Sequence, residues 1–183
     1  MIASHLEQGG HGAIVVIGDS RVESARLPSE VGGRPLVNAG VGGATVGLLE
    51  NMVLPLISKA YCIVVAVGVN NAKTEATVSE DFLFAFDRLC RAASDKAEKL
   101  VVATIPPVAE NAPLGVGYYD PSMISTFNDE IRALAGNRQY NLSDIAALMQ
   151  KDNGNLPSEF SSDGVHLTAA GYAVFIPALL GAT

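Results

Sequence analysis

The chain has 183 residues, of which 49% are hydrophobic and only 17% charged, with a mean hydropathy of +0.28. A chain this long buries about 70% of its extended surface in one core, and this composition excludes a disordered chain, a coiled coil or a charged tail. The net charge of −7, with no Lys/Arg cluster, leaves neither a nucleic-acid backbone nor an anionic membrane surface as a partner.

In chain order, Ala13–Ile17 (AIVVI) is a β-branched run closed by Gly18 and predicts a buried strand. Pro35–Asn38 predicts a second, shorter strand. Thr45 can cap a helix starting at Val46, which Pro55 should break or kink. Tyr61–Val67 (YCIVVAV) is the third strand. Thr77 and Glu80 then form a T-x-x-E capping box ahead of Val78, Phe82, Phe86, Leu89 and Ala93, which share one helix face. Lys99–Ile105 (KLVVATI) is the fourth strand. Asp120-Pro121 supplies an N-cap and a proline at the first helical position. Ile124, Phe127, Ile131 and Leu134 line one side of that helix, and Gly136 should end it. Gln139–Leu142 is the fifth strand, Ser143 can cap Asp144–Gln150, and Thr168 can cap Ala169–Leu180.

Continuous apolar strands alternating with helices imply a parallel sheet covered on both faces. The expected fold is one α/β domain over residues 1–183. It is a three-layer α/β/α sandwich whose five parallel strands take the flavodoxin-like order 2-1-3-4-5. No apolar run reaches the roughly 20 residues of a membrane span. Leu167–Thr183 is uncharged but contains Thr168, Gly171 and Pro177, so it reads as a buried terminal helix. Met1–Gly12 carries Glu7 and two His with no apolar stretch, so no secretory signal is expected. Cys62 and Cys90 form no CxxC motif and read as small buried hydrophobes, which fits a reducing cytoplasm. The three His are too scattered for a metal cage.

Ligands of such sheets bind beyond the carboxyl ends of the strands. Those ends carry Gly18-Asp19-Ser20, the stretch Asn38–Thr45, Gly68-Val69-Asn70-Asn71 and, before the last helix, Asp163-Gly164-Val165-His166. Each has a plain alternative. Gly-Asp-Ser is a common turn, Asn70-Asn71 could be an asparagine turn, and Asp163-x-x-His166 could be a helix-entry loop with a solvated His. Gly40–Thr45 resembles a dinucleotide loop, but Thr45 stands where the last glycine belongs and no acidic residue follows at the required distance.

Serine chemistry gives the four segments one purpose. A Ser hydroxyl needs an adjacent base, and His166 can take its proton and later return it to a leaving group. Asp163 would hold the imidazole tautomer and stabilise the imidazolium. His5 and His11 precede the first strand, and five residues at about 3.3 Å each put roughly 17 Å between His11 and Ser20. Asp19 reads as a loop-fixing residue because its side chain and that of adjacent Ser20 point apart.

These blocks, in this order and covering nearly the whole chain, resemble the SGNH, or GDSL, hydrolase family. The resemblance maps the family's Ser, Gly, Asn and His onto Ser20, Gly43, Asn70 and His166, and its triad aspartate onto Asp163. It implies an oxyanion hole made by the N–H of Ser20, the N–H of Gly43 and the side-chain amide of Asn70. Two positions depart from the family pattern: Asn71 and Ala44 stand where Asp is common. The implied activity is hydrolysis of a small or medium acyl ester through an acyl-enzyme on Ser20, with no metal or cofactor. Deacetylation of a carbohydrate ester leads, and thioesterase or lysophospholipase activity follows. A non-catalytic binding module on the same scaffold and a phosphate-binding protein using the Gly-rich turn at 40–43 are the readings from other classes.

Overall fold

In the computed structural model the described residues are 12–74, 81–110, 112–151 and 153–183. The elements in chain order are β1 (Ile14–Gly18), α1 (Ser20–Glu23), β2 (Glu30–Val31), β3 (Arg34–Gly40), α2 (Val46–Leu48), β4 (Ala60–Ala66), α3 (Phe82–Ser94), β5 (Ala97–Ala103), α4 (Pro121–Arg138), β6 (Asn141–Ser143), α5 (Ile145–Met149) and α6 (Ala169–Leu180).

The sheet has six strands in the order β2-β3-β1-β4-β5-β6. The expectation of five parallel strands is corrected here: β2 runs antiparallel to β3, so the sheet is mixed and its order is not the plain five-strand one. The signal for β2 was local. Gly32 and Gly33 both take positive φ (57° and 75°), the requirement of the two-residue hairpin turns that match strand twist. Gly-Gly between Val31 and Arg34 therefore folds the chain back before β3. The other neighbouring pairs are parallel, and β1 lies between β3 and β4 with Gly18 opposite Gly40 on one side and Ala66 on the other.

All five residues of β1 are buried, and alternate residues feed two different cores. Val15, Ile17, Ile63, Val65 and Val102 pack against α2, α3 and α4 through Val46, Phe86, Leu89 and Ile131. Ile14, Val16, Val64 and Val101 pack on the other face against Val22, Ile145, Met149, Phe175 and Leu179 of α1, α5 and α6. Two buried faces explain the hydropathy of the chain: strands inside such a sheet have no polar side to alternate with. Among the described residues no helix is long and apolar enough to cross a membrane.

Several helix ends differ from expectation. The capping box at Thr77 and Glu80, with Val78, lies outside the described residues, and α3 is capped by Asp81, whose carboxylate accepts the Phe84 N–H. After Thr45 caps α2, the chain passes through a π turn (Leu49–Val53) and a 3₁₀ turn (Leu54–Leu56). Pro55 has no N–H to continue the α-helical ladder, so the winding changes around it. Gly136 does not end α4. The helix runs on to Arg138 and closes on Gln139 in the left-handed region (φ 58°). Asp144, rather than Ser143, caps α5, while the Ser143 hydroxyl donates to the Ala178 carbonyl of α6.

Candidate active site

Ser20 is the first residue of α1, immediately beyond the carboxyl end of β1. Asp19 is the N-cap: its buried carboxylate accepts the Arg21 N–H at 2.9 Å and turns the chain sharply from strand to helix. Burial raises the Asp19 pKa, and the neighbouring Arg21 charge opposes that rise. Close packing of α1 on the sheet depends on glycine. A Cβ on Gly40 would stand 2.3 Å from the Glu23 nitrogen, and one on Gly18 would stand 2.4 Å from Val22 Cγ2, both atoms of α1.

The loop before α6 delivers the partners of Ser20. Asp163 Oδ1 accepts the N–H groups of Val165 (3.0 Å) and His166 (2.8 Å) and the Ser161 hydroxyl (3.2 Å). Its Oδ2 lies 2.6 Å from His166 Nδ1. Partial burial pushes the Asp163 pKa up, but these hydrogen bonds together with the His166 ring outweigh it and hold the carboxyl at about 2. A carboxylate this close to Nδ1 places the ring proton there, which leaves Nε2 as an acceptor. Nε2 is 3.1 Å from Ser20 Oγ, so the hydroxyl donates to it. The structure thus brings Ser20, His166 and Asp163 into one hydrogen-bonded chain. His5 and His11 lie outside the described residues.

Gly43 and Asn70 lie on the loops that follow the two strands flanking β1. Gly43 is exposed and has φ 73°, a conformation that glycine adopts readily. Among the described residues neither Gly43 N–H nor Ser20 N–H donates to another group. Asn70 sits in a 3₁₀ turn (Val69–Ala72) after Gly68 and is buried. Its Nδ2 donates to the Ala44 carbonyl at 3.0 Å, and its Oδ1 accepts the Tyr119 hydroxyl at 3.4 Å. One amide hydrogen of Asn70 remains for a ligand.

Both departures from the family pattern find a place. Asn71 Oδ1 accepts the Val46 N–H at the start of α2 (3.2 Å), the acceptor role an aspartate would also fill. Ala44 is wholly buried in the core, with its carbonyl committed to Asn70.

Sequence reasoning missed how the connection from β5 to α4 frames this edge. Ala109 and Leu114 donate to the Gly164 and Asp163 carbonyls, while Asp120 donates to the Ala72 carbonyl and Tyr119 reaches Asn70. The same connection therefore touches the Asp163–His166 loop and the Asn70 turn. Arg21 and Tyr119 carried no motif signal, because their partners lie far away in sequence. Among the described residues no group of three His, Cys, Asp or Glu side chains is arranged to hold a metal ion.

Residues 15–174 match the model of the GDSL-like lipase/acylhydrolase family. The chain belongs to this family. Membership makes the activity that of an ester hydrolase or acylhydrolase. No curated protein matches the chain. Solved structures do, at identities that show the fold alone. A protein from Streptococcus pneumonia is 23% identical with a TM-score of 0.78, over 97% of this chain and 89% of that one. A GDSL-like lipase from Bacteroides thetaiotaomicron is 19% identical with a TM-score of 0.75, over 98% and 93%. An acetylxylan esterase from Geobacillus stearothermophilus is 14% identical with a TM-score of 0.66, over 94% of each chain.

Proposed function

We propose that this GDSL-family protein cleaves short acyl esters through an acyl-enzyme on Ser20, and that acetyl esters of carbohydrates are its substrate class. The observation that carries the reading is the pair of contacts from Ser20 Oγ to His166 Nε2 (3.1 Å) and from His166 Nδ1 to Asp163 (2.6 Å).

In this reaction Ser20 Oγ attacks the ester carbonyl as its proton passes to His166 Nε2. The imidazolium is stabilised by the Asp163 carboxylate. The carbonyl oxygen becomes an oxyanion that accepts the N–H groups of Ser20 and Gly43 and the free amide hydrogen of Asn70. His166 then gives its proton to the departing alcohol oxygen. Water, deprotonated by the same ring, attacks the acyl-serine, and the ring returns that proton to Ser20 Oγ as the acyl–oxygen bond breaks, releasing the carboxylic acid and the free serine.

The short-chain preference is supported by the openness of the edge, where the His166 side chain is 47% exposed. The carbohydrate reading draws further support from the acetylxylan esterase of like fold. The test is a p-nitrophenyl ester series from acetyl to octanoyl together with an acetylated xylo-oligosaccharide, run on wild type and Ser20→Ala. Acetyl release from both substrate types, lost in the variant, is expected. Wild type that hydrolyses no ester and takes no fluorophosphonate on Ser20 overturns the proposal, and a clear octanoyl optimum overturns its short-acyl part.

A further inference from the structure

Arg21 follows Ser20 directly, yet its side chain is only 2% exposed. Burying a guanidinium is costly unless its N–H groups find acceptors. Here the acceptors are three main-chain carbonyls: Nε donates to Val165 (2.8 Å), Nη1 to Pro106 (2.8 Å) and Nη2 to Pro107 (3.1 Å). Among the described residues no carboxylate oxygen is hydrogen-bonded to the guanidinium, and Asp19 takes the Arg21 backbone N–H. The arrangement therefore lacks a direct ion pair and serves geometry. A planar fork of donors reaches three diverging carbonyls that a single ammonium point could not.

The important acceptor is Val165. Its carbonyl and the N–H of His166 belong to one peptide group. Arg21 Nε holds the carbonyl end of that peptide, and Asp163 Oδ1 holds the N–H end at 2.8 Å. The peptide from which the imidazole hangs is thus clamped at both ends. The carbonyls of Pro106 and Pro107 lie just beyond β5, so the same guanidinium references the clamp to the sheet. From α6, the Tyr172 hydroxyl donates to the Arg21 carbonyl at 2.9 Å and fixes the main chain of the arginine itself.

We infer that Arg21 is a positioning residue for the ester hydrolysis proposed above: its guanidinium sets the Val165–His166 peptide, and through it the placement of Nε2 against Ser20 Oγ. The inference rests on the acyl-enzyme reading. A displacement of about 1 Å between reacting groups is enough to lose on the order of 10²-fold in rate. Arg21 touches neither Ser20 Oγ nor the imidazole by hydrogen bond, so its removal should slow turnover and leave substrate affinity in place.

The experiment compares wild type, Arg21→Lys, Arg21→Ala and the surface control Arg138→Ala. It measures kcat and KM on p-nitrophenyl acetate alongside the number of sites titrated by a fluorophosphonate. Expressing each rate per titrated site separates slow sites from missing ones, so a partly folded variant still gives an answer. The expected result for Arg21→Lys is a fall in kcat per site on the order of 10²-fold, an almost unchanged KM and labelling slowed by the same factor. In Arg21→Ala, added guanidinium should restore part of kcat where the same concentration of urea does not. Arg138→Ala should behave as wild type. If activity falls only in proportion to the titrated sites, or kcat per site in Arg21→Lys stays at the wild-type value, Arg21 serves the fold alone and the inference is overturned. Wild type that neither hydrolyses nor labels removes the acyl-enzyme reading itself, and the inference with it.

Discussion

Asp163 meets His166 twice, with Oδ2 at 2.6 Å from Nδ1 and Oδ1 accepting the main-chain N–H of the same residue at 2.8 Å. One carboxylate therefore orients both the ring and the backbone that carries it. Asp163→Asn keeps the size of the side chain but can present its NH₂ group to Nδ1, which favours the wrong tautomer. Its kcat on p-nitrophenyl acetate should fall by about 10⁴ with little change in KM. Steady-state kinetics on the folded variant check this.

The same carboxyl predicts an acid limb of stability. It is held at about 2 in the folded protein, below the roughly 3.9 of an unfolded aspartate. A depressed folded pKa stabilises fully above about pH 4, and the contribution is lost as pH falls toward 2. The melting-temperature gap between wild type and Asp163→Asn, followed by circular dichroism from pH 6 to 2, should be widest above pH 4 and close at the acid end. A gap that widens on acidification would contradict the assignment.

In the proposed mechanism Asn70 is an oxyanion donor and Tyr119 the group that orients it. Asn70→Ala should lose about 10²–10³ in kcat, the typical loss for one such donor. Tyr119→Phe leaves the amide in place and removes only a long hydrogen bond to Oδ1 (3.4 Å), so a loss of roughly 3- to 10-fold is expected. Equal effects of the two substitutions, measured with the same ester, would count against this division of labour.

Asn71, the neighbour of Asn70, should behave differently. Its Oδ1 ties the 3₁₀ turn to the first N–H of α2, a capping-type bond worth about 1 kcal/mol. Asn71→Ala is therefore expected to lower the melting temperature more visibly than kcat, whereas Asn70→Ala should do the reverse. Thermal melts and turnover on the pair give the comparison.

Gly40→Ala tests the seat of Ser20. The added methyl would stand 2.3 Å from the Glu23 nitrogen and 2.8 Å from its Cα, both backbone atoms that cannot swing aside. The helix carrying Ser20 must move off β3, so stability and kcat should fall together. Gly43→Ala meets nothing within 4 Å and pays only for its positive φ, roughly 1–2 kcal/mol. Denaturant melts should rank Gly40→Ala as the more damaging of the two.

The parallel strands and the residues at their ends were readable because burial on both faces writes long β-branched runs, and polar residues beyond them stand out. Ser20, His166 and Asp163 are joined by hydrogen bonds as their residue types suggested. Helix ends were harder. Gly136 looked like a stop, but the helix closes three residues later at Gln139, which takes φ 58° although it is not glycine, with the N–H groups of Gln139 and Tyr140 donating to the Gly136 and Ala135 carbonyls. Ser143 looked like a cap, but its hydroxyl is drawn to Ala178 on α6, a partner 35 positions away. The strand Glu30–Val31 is too short for any periodicity to register, and only the Gly-Gly turn beside it marks the hairpin. Arg21 is the largest gap: a charged residue in a turn reads as solvated, and only the folded chain gathers three carbonyls around it.

That two-residue strand has a consequence for how the molecule meets others of its kind. Open sheets invite edge-to-edge association through unpaired backbone groups. Here one border ends in a two-residue strand that pairs with the start of β3, Glu30 opposite Pro35, placing a charge on the outermost strand beside a residue with no N–H to offer. The opposite border is β6, only three residues long, and Asn141 and Ser143 bond back to carbonyls at the end of α6. A sheet this apolar would otherwise be a template for aggregation. Its margins are cut short on both sides, so concentrated protein should resist strand-mediated self-assembly.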